Sequence, residues 1–323
     1  MFIALLLSLN LPSHAANNEV TGKYKHQLQL IDSIRKFIRT DLKLDIPEKF
    51  YTEWSKAKDS MYVMLYCSKG NKIERPDSNY MGGQYYDDEN EAVRKSHQLD
   101  AMGYQTLVYK TAGMANDFLS RKLLSYPDEA IAFILFHEAT HNDLRRANRR
   151  YISYNYEEAL CDAVANYACL RFAIKTKLLD PEGVKRQTRI FETIYRYLNK
   201  ERKIVDDQPA DKNGQIFKTC TFKIAKWTED ANQFQKDRMN YEVNNAYFLR
   251  IDNYATHYFE IKKMLDRKLD VDSVIDKLWQ YRSKAGVSNY TGTSSYPPLD
   301  TIKPYGTPLA LPPDTIQHFW QWK

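Results

Sequence analysis

The chain has few cysteines and few glycines for its length, with 4 and 11 among 323 residues. No Cys-x-x-Cys pair occurs, so neither a thiolate zinc site nor a dithiol redox motif is indicated. A glycine-rich phosphate loop and an internal repeat are also absent. The formal charge of +6 is mild and both signs are interleaved along the chain. Charge therefore gives no argument for nucleic acid as a partner.

The apolar run at residues 2–11 is too short for a membrane-spanning helix, which needs about 20 apolar residues. Small residues at Ser13 and Ala15 follow it. The pattern predicts a secretory signal peptide at residues 1–15, with a buried N-terminal strand or helix as the alternative. We therefore expect an exported protein, periplasmic or secreted, whose mature chain has no stable membrane span.

Residues 16–285 have the composition of one folded domain, whereas residues 286–323 are rich in Ser, Thr, Tyr, Gly and Pro and predict an irregular tail. Within the domain, short apolar and aromatic runs predict strands at 60–66 and 104–109, and residues 79–86 predict a turn that enters a further strand. Helical periodicity and start and stop signals predict a polar loop at 204–214 and helices at 23–43, 88–102, 127–146, 155–175, 181–200, within 231–261, and at 271–281. The expected fold class is α+β and mainly α-helical, with a small N-terminal sheet that precedes a helical body.

The most informative motif is His-Glu-Ala-Thr-His at residues 137–141, on the predicted helix that begins after Pro127. Two histidines four residues apart lie on one helix face, so both imidazoles can converge on one metal ion. Glu138 lies beside that face and can act as the base that takes a proton from a metal-activated water. The pattern predicts zinc, with His137 and His141 as two of its ligands.

A catalytic zinc usually has three protein ligands, and Glu158 on the next predicted helix can supply the third. Asp162 lies one turn further and can accept a hydrogen bond from the outer nitrogen of a ligand histidine, which fixes its tautomer. Glu157 is the alternative ligand, and we favour Glu158 because it alone has an acidic partner at +4. A third histidine in the pattern HExxHxxGxxH is excluded by Leu144 and Ala147.

Peptide hydrolysis also needs a donor beside the zinc that stabilises the oxyanion. Tyr254 is our candidate, and His257, Tyr85 and Tyr86 are alternatives among the many aromatic residues. Cys161 and Cys169 share one predicted helix and cannot pair along it, so we expect small buried thiols there.

Several segments besides the motif resemble the bacterial predicted aminopeptidases, a family of exported HExxH zinc peptidases of the gluzincin type. The resemblance covers roughly residues 25–280 and rests on Ser33-Ile34-Arg35-Lys36-Phe37, Gly83-Gln84-Tyr85-Tyr86, Met102-Gly103-Tyr104, Leu123-Leu124-Ser125-Tyr126-Pro127 and Asn244-Asn245-Ala246. It implies His137, His141 and Glu158 as zinc ligands and Glu138 as the base.

The chain departs from that family at three places. The arginine before its Gly-Tyr-Phe segment is not matched in GGQYY, its usual asparagine before the ligand glutamate is Glu157, and Asp162 is more similar to thermolysin-like peptidases. The sequence thus predicts an exported zinc metallopeptidase that acts on peptide substrates, with aminopeptidase activity implied by the resemblance. The alternatives are a non-catalytic exported zinc-binding protein and a zinc amidase that acts on cell-wall fragments. The oligomeric state is not predicted.

Overall fold

A computed structural model describes residues 22–54, 61–67, 73, 84–111, 117–146, 154–208, 212–267 and 270–284. The predicted signal peptide (1–15) and the predicted tail (286–323) lie outside these residues. The described part is mainly helical and contains a small antiparallel sheet, so the predicted α+β, mainly α-helical class is confirmed. None of its helices combines the length and the apolar character that a membrane crossing requires.

The sheet has three antiparallel strands in the order β2-β1-β3. The central strand β1 (Met61–Cys67) pairs with β2 (Gln84–Tyr86) on one side and with β3 (Gln105–Thr111) on the other. Val63 of β1 is buried and lies opposite Tyr109 of β3. The strand predictions therefore agree with the structure to within about two residues, the usual uncertainty of element ends.

The helices surround two central helices, α4 and α5. In chain order they are α1 (Lys25–Phe37, extended by a π-helical turn at Ile38–Leu42), α2 (Glu89–Ala101), α3 (Arg121–Leu124), α4 (Asp128–Arg146), α5 (Tyr154–Thr176), α6 (Pro181–Asp207), α7 (Asn213–Trp227), α8 (Gln233–Met239), α9 (Asn245–Ala255), α10 (Tyr258–Asp266) and α11 (Val271–Lys284).

Both central helices are buried around most of their circumference, as expected of helices in the middle of a domain. On α4 the buried stretch is continuous from Ala130 to Leu144. The rings of Phe37, Phe136 and Phe172 meet edge to face, with centroids 5.4–5.9 Å apart, and join α1, α4 and α5. Such packing fixes the rotation of α4 and α5, and hence the direction of the polar side chains that the same helices carry.

Helix α9 brings a third set of side chains toward this pair because it packs against α5 and against strands β1 and β3. Its N-terminus is capped by Asn244, whose side chain accepts a hydrogen bond from the Tyr247 backbone N–H. The Asn244 side-chain amide also donates to the Thr106 carbonyl at 2.8 Å, which ties the start of α9 to β3.

The predicted polar loop at 204–214 is wrong over part of its length. Helix α6 continues to Asp207 because Val205 keeps the apolar stripe of the helix buried. Helix α7 then begins at Asn213, inside the predicted loop, with Gly214 in its first turn. Residues 209–211 lie outside the described part.

Three cysteines, Cys161, Cys169 and Cys220, are free and buried. The expectation of small buried thiols at Cys161 and Cys169 is therefore met. Burial raises the pKa of the Cys220 thiol to about 11.

Candidate metal centre

The two histidines of the motif converge on α4. Their Nε2 atoms lie 3.2 Å apart, and both side chains are buried. This is the arrangement that the four-residue spacing predicts on a helix. The structure thus brings His137 and His141 to one point, on the side of α4 that faces α5.

The carboxylate of Glu158, on α5, lies next to the Nε2 atoms of both histidines. Its Oε2 lies 3.4 Å from His137 Nε2, and its Oε1 lies 3.5 Å from His141 Nε2. The carboxylate therefore faces the inner nitrogens of both rings. Glu157, which the sequence left as the alternative ligand, does not take this place.

The outer nitrogen of each imidazole lies against another carboxylate of α5. His141 Nδ1 lies 2.7 Å from Glu157 Oε1. His137 Nδ1 lies 2.9 Å from Asp162 Oδ1, on an approach too bent for a well-formed hydrogen bond. An ionised carboxylate only accepts hydrogen bonds, so the short contact to Glu157 favours the tautomer with the proton on His141 Nδ1. In a neutral ring the lone pair is then on Nε2.

This donor set fits a small cation. The two Nε2 atoms and the Glu158 carboxylate lie 3.2–3.5 Å from one another, an arrangement that positive charge between them, from a proton or a metal ion, stabilises. Ligand atoms at about 2.0–2.1 Å from a tetrahedral zinc lie about 3.3–3.4 Å from each other. The observed spacings of His137, His141 and Glu158 match that edge length.

The acidic groups around His137 and His141 favour positive charge on these two side chains. Burial lowers the pKa of His137, but Asp162 and Glu158 outweigh it, so the net pKa is raised. Burial likewise lowers the pKa of His141, while Cys161 and Glu158 raise it well above its ordinary value. Burial raises the pKa of Glu158, yet the two imidazoles bring it well below its usual range. A site that attracts protons in this way also attracts a metal cation.

Asp162 is held by two residues that the sequence analysis missed. Arg238 Nη2 donates to both of its oxygens, at 3.0 Å and 2.8 Å, and the Tyr195 hydroxyl donates at 2.6 Å. Burial raises the pKa of Asp162, but Arg238 and His137 lower it more. Arg238, on α8, therefore keeps the carboxylate beside His137 ionised. Its distance of 76 residues from Asp162 left no local signal in the sequence.

Glu138 follows His137 directly on α4 and is buried. Its Oε2 has no hydrogen-bond partner among the residues that the structure describes. Asn142 donates to the Glu138 backbone carbonyl at 3.0 Å and to Asp117 Oδ1 at 2.8 Å, which fixes the backbone next to the side chain. A buried carboxylate with an open oxygen has the form that a proton acceptor needs.

Cys161 is a further candidate ligand that the sequence analysis discounted. Its Sγ, with nitrogen atoms of His137 and His141, forms a group whose members all lie within 4.8 Å of one another. Burial raises the pKa of the Cys161 thiol to about 12, with opposition from His141. Because thiols bind metals as thiolates and burial keeps this thiol protonated, Glu158 stays our predicted third ligand.

Tyr254 lies on α9, half-buried. The guanidinium carbon of Arg238 is 4.3 Å from its ring centre. Burial and the nearby Glu158 raise the pKa of the Tyr254 hydroxyl well above its ordinary value, so the hydroxyl stays protonated and can donate. Its assignment as the oxyanion donor stays a prediction.

The alternatives to Tyr254 have other contacts. His257 stacks on Tyr156, with ring centres 3.5 Å apart and planes at 12°. Burial lowers the pKa of His257 to about 4. The Tyr86 hydroxyl donates to Gln84 Oε1 at 2.5 Å. The side chain of Tyr85 lies outside the described part.

Comparison with family models, with curated proteins and with solved structures found no match for the chain. The geometry of the centre and the resemblance noted in the sequence are therefore what a functional proposal can rest on.

Proposed function

We propose that the chain is an exported zinc-dependent peptidase. The observation that carries the proposal is the convergence of His137 Nε2, His141 Nε2 and the Glu158 carboxylate at 3.2–3.5 Å, with a carboxylate on the outer nitrogen of each ring. The resemblance to the bacterial predicted aminopeptidases supports peptides as substrates, aminopeptidase activity and export.

In this proposal His137, His141 and Glu158 hold the ion, and a bound zinc ion would polarise the scissile carbonyl and make a water molecule more acidic. Glu138 takes the proton from the attacking water and passes it to the leaving amine. Tyr254 donates a hydrogen bond to the carbonyl oxygen as negative charge develops on it. The outer carboxylates keep both imidazoles in the tautomer that binds with Nε2.

The test is Glu138→Gln, which keeps the size of the side chain and removes its basicity. We expect zinc content by elemental analysis to be unchanged and hydrolysis of a peptide library to fall by about 10²- to 10⁴-fold. Chelator should abolish wild-type cleavage, and the cleavage positions in the digest separate an aminopeptidase from an endopeptidase.

Glu129→Gln is the matched control, because Glu129 lies on the same helix in its first turn. It should leave both zinc content and hydrolysis unchanged. Hydrolysis that survives in Glu138→Gln would contradict the assigned base.

A second candidate function is a non-catalytic zinc-binding protein, and the position of Cys161 favours it. A thiolate as fourth ligand would close the coordination position that a substrate needs. The cobalt-substituted protein tests this candidate, since a thiolate ligand gives an intense near-ultraviolet charge-transfer band. A band that disappears in Cys161→Ala, together with absent hydrolysis, would support the closed site over the peptidase.

A further inference from the structure

A second buried arginine lies near the candidate centre, and its charge is balanced differently from that of Arg238. Arg250 of α9 is only 6% exposed. None of the ion pairs among the described residues includes it, whereas Arg238 pairs with Asp162. Burial of a guanidinium without a carboxylate costs several kcal/mol, so the environment of Arg250 needs an explanation.

The partners of Arg250 use only part of its hydrogen-bonding capacity. Its Nη1 donates to the Arg238 backbone carbonyl at 2.7 Å, which satisfies a carbonyl at the C-terminal end of α8. Its guanidinium carbon lies 4.2 Å from the ring centre of Tyr109 and 5.6 Å from that of Tyr241. Its Nε has no hydrogen-bond partner in the described part of the chain. Helix capping therefore accounts for one of the five N–H donors of this side chain.

Arg250 lies on the same helix as Tyr254, the proposed oxyanion donor of the candidate metal centre. It precedes Tyr254 by four residues on α9, so the two side chains share one helix face about 5–6 Å apart at Cβ. The backbone carbonyl that accepts from Arg250 belongs to Arg238, whose guanidinium carbon lies 4.3 Å from the Tyr254 ring centre and whose Nη2 donates to Asp162 at 2.8 Å. Arg250 thus lies beside Tyr109 and about one helical turn from Tyr254, the proposed oxyanion donor.

We propose that Arg250 binds a carboxylate of the substrate close to the scissile bond. This inference rests on the proposed function and adds a substrate class to it, namely peptides with an anionic group next to the bond that is cut. An extended peptide advances about 3.3–3.6 Å per residue, so a carboxylate at Arg250 lies about one or two residues from a carbonyl held at Tyr254. Such a carboxylate is either the C-terminal α-carboxylate of a short peptide or the side chain of an acidic residue.

The test measures binding by calorimetry to the zinc-loaded full chain with Glu138→Gln, so that no turnover occurs. The probes are Ala-Ala-Ala, its C-terminal amide, and the amide of Ala-Glu-Ala. We expect a carboxylate-bearing probe to bind at least about 10-fold more tightly than the Ala-Ala-Ala amide, as for a charge-assisted hydrogen bond. Tighter binding of the free acid identifies the α-carboxylate, and tighter binding of the Ala-Glu-Ala amide identifies a side-chain carboxylate. Equal binding of all three overturns the proposal.

Substitutions of Arg250 test whether this residue causes the preference for carboxylate-bearing probes. Arg250→Gln keeps a donor for the Arg238 carbonyl and removes the charge, so the preference should disappear. Arg250→Lys keeps the charge without the planar fork, so the preference should fall but remain. Arg196→Gln is the control: its guanidinium also lies over a ring, 4.8 Å from that of Phe259, but 67% of its side chain is exposed.

An unchanged preference in Arg250→Gln overturns the proposal, and so does an unchanged preference in Arg250→Lys if the Gln variant does not fold. Either result would mean that another group, such as the ion, selects the carboxylate. Hydrolysis of the peptide library without carboxylate preference would reject this inference and leave the peptidase proposal standing. Carboxylate-dependent binding with no hydrolysis of any peptide would reject the peptidase proposal and support Arg250 as an anion site.

Discussion

The two sides of the candidate centre differ in how their charges are balanced. On the side of α4 and α5, each imidazole has a carboxylate on its outer nitrogen, and Asp162 is itself paired with Arg238. On the side of α9, Arg250 lies over aromatic rings with no ion pair among the described residues. The first side thus pairs its charges among its own residues, whereas the second side holds a guanidinium whose Nε has no hydrogen-bond partner among the described residues.

The largest expected effect distinguishes Glu158 from its neighbour Glu157. Because Glu158 faces both Nε2 atoms, Glu158→Ala should weaken zinc binding by more than ~100-fold, the upper end of the range for outer carboxylates. Glu157→Ala removes only the contact to His141 Nδ1 and should cost about 10–100-fold. Chelator competition measures both affinities. A larger loss in Glu157→Ala would reverse the assignment of ligand and outer partner.

Asp162→Asn should affect both the metal and the fold. It removes the carboxylate beside His137, so zinc affinity should fall about 10–100-fold. It also leaves Arg238 buried without its anion, which should lower the free energy of unfolding by about 3–5 kcal/mol. Urea unfolding of the metal-free protein measures the second effect separately.

The control for Asp162→Asn is Glu182→Gln. Glu182 pairs with Lys185 at 2.6 Å, but 71% of the Glu182 side chain and 41% of the Lys185 side chain are exposed. Its loss should cost less than about 1 kcal/mol. Equal destabilisation by the two substitutions would show that the Asp162–Arg238 pair has no special role in the fold.

Zinc affinity should fall as the pH falls. The pKa values of His137 and His141 are raised in the ion-free protein, so protons compete for the two Nε2 atoms from a pH above 6.5 downward. Affinity should decrease by about tenfold per pH unit for each imidazole that must lose a proton. Calorimetry in buffers of different ionisation enthalpy counts the released protons. Zinc affinity that does not change between pH 8 and pH 6 would contradict the assigned ligands.

The smallest expected effect is that of His257, which lies near the α9 side. Its folded-state pKa of about 4 is below its ordinary value of 6.5, so the unfolded chain takes up the proton first as the pH falls. The contribution of His257 to stability should therefore decline between pH 6.5 and pH 4 and change little below pH 4. The loss should be about 1–2 kcal/mol after allowance for the 20% exposure of the side chain.

His257→Gln should remove this decline in urea unfolding, whereas His97→Gln, at an exposed histidine, should preserve it. The same decline in both variants would mean that other groups cause it.

The parts of the fold and site that could be predicted from sequence are those set by local spacing. The four-residue spacing of His137 and His141 places both rings on one face of a helix, and periodicity located most helices and strands. The interval between Glu158 and Asp162 placed both carboxylates on one face of α5. In both pairs, His137 with His141 and Glu158 with Asp162, the two residues lie about one turn apart on a single helix.

Contacts between distant segments could not be predicted. Arg238 meets Asp162, and Arg250 meets Tyr109, only after α8 and α9 pack against the rest of the domain. Neither arginine lies in a recognisable motif. The choice between Glu157 and Glu158 also depended on the rotation of α5 relative to α4, which core packing sets rather than either sequence segment alone.

Helix α8 has seven residues, too few to be stable by itself in water. Its order depends on outside contacts, among them Asp237 with Lys122, Arg238 with Asp162, and the Arg238 carbonyl with Arg250. Two of these three contacts lead to the candidate centre or to the proposed carboxylate site. The rate at which α8 amides exchange with deuterated solvent should therefore reveal local opening of this helix, and slower exchange should report when the centre is filled.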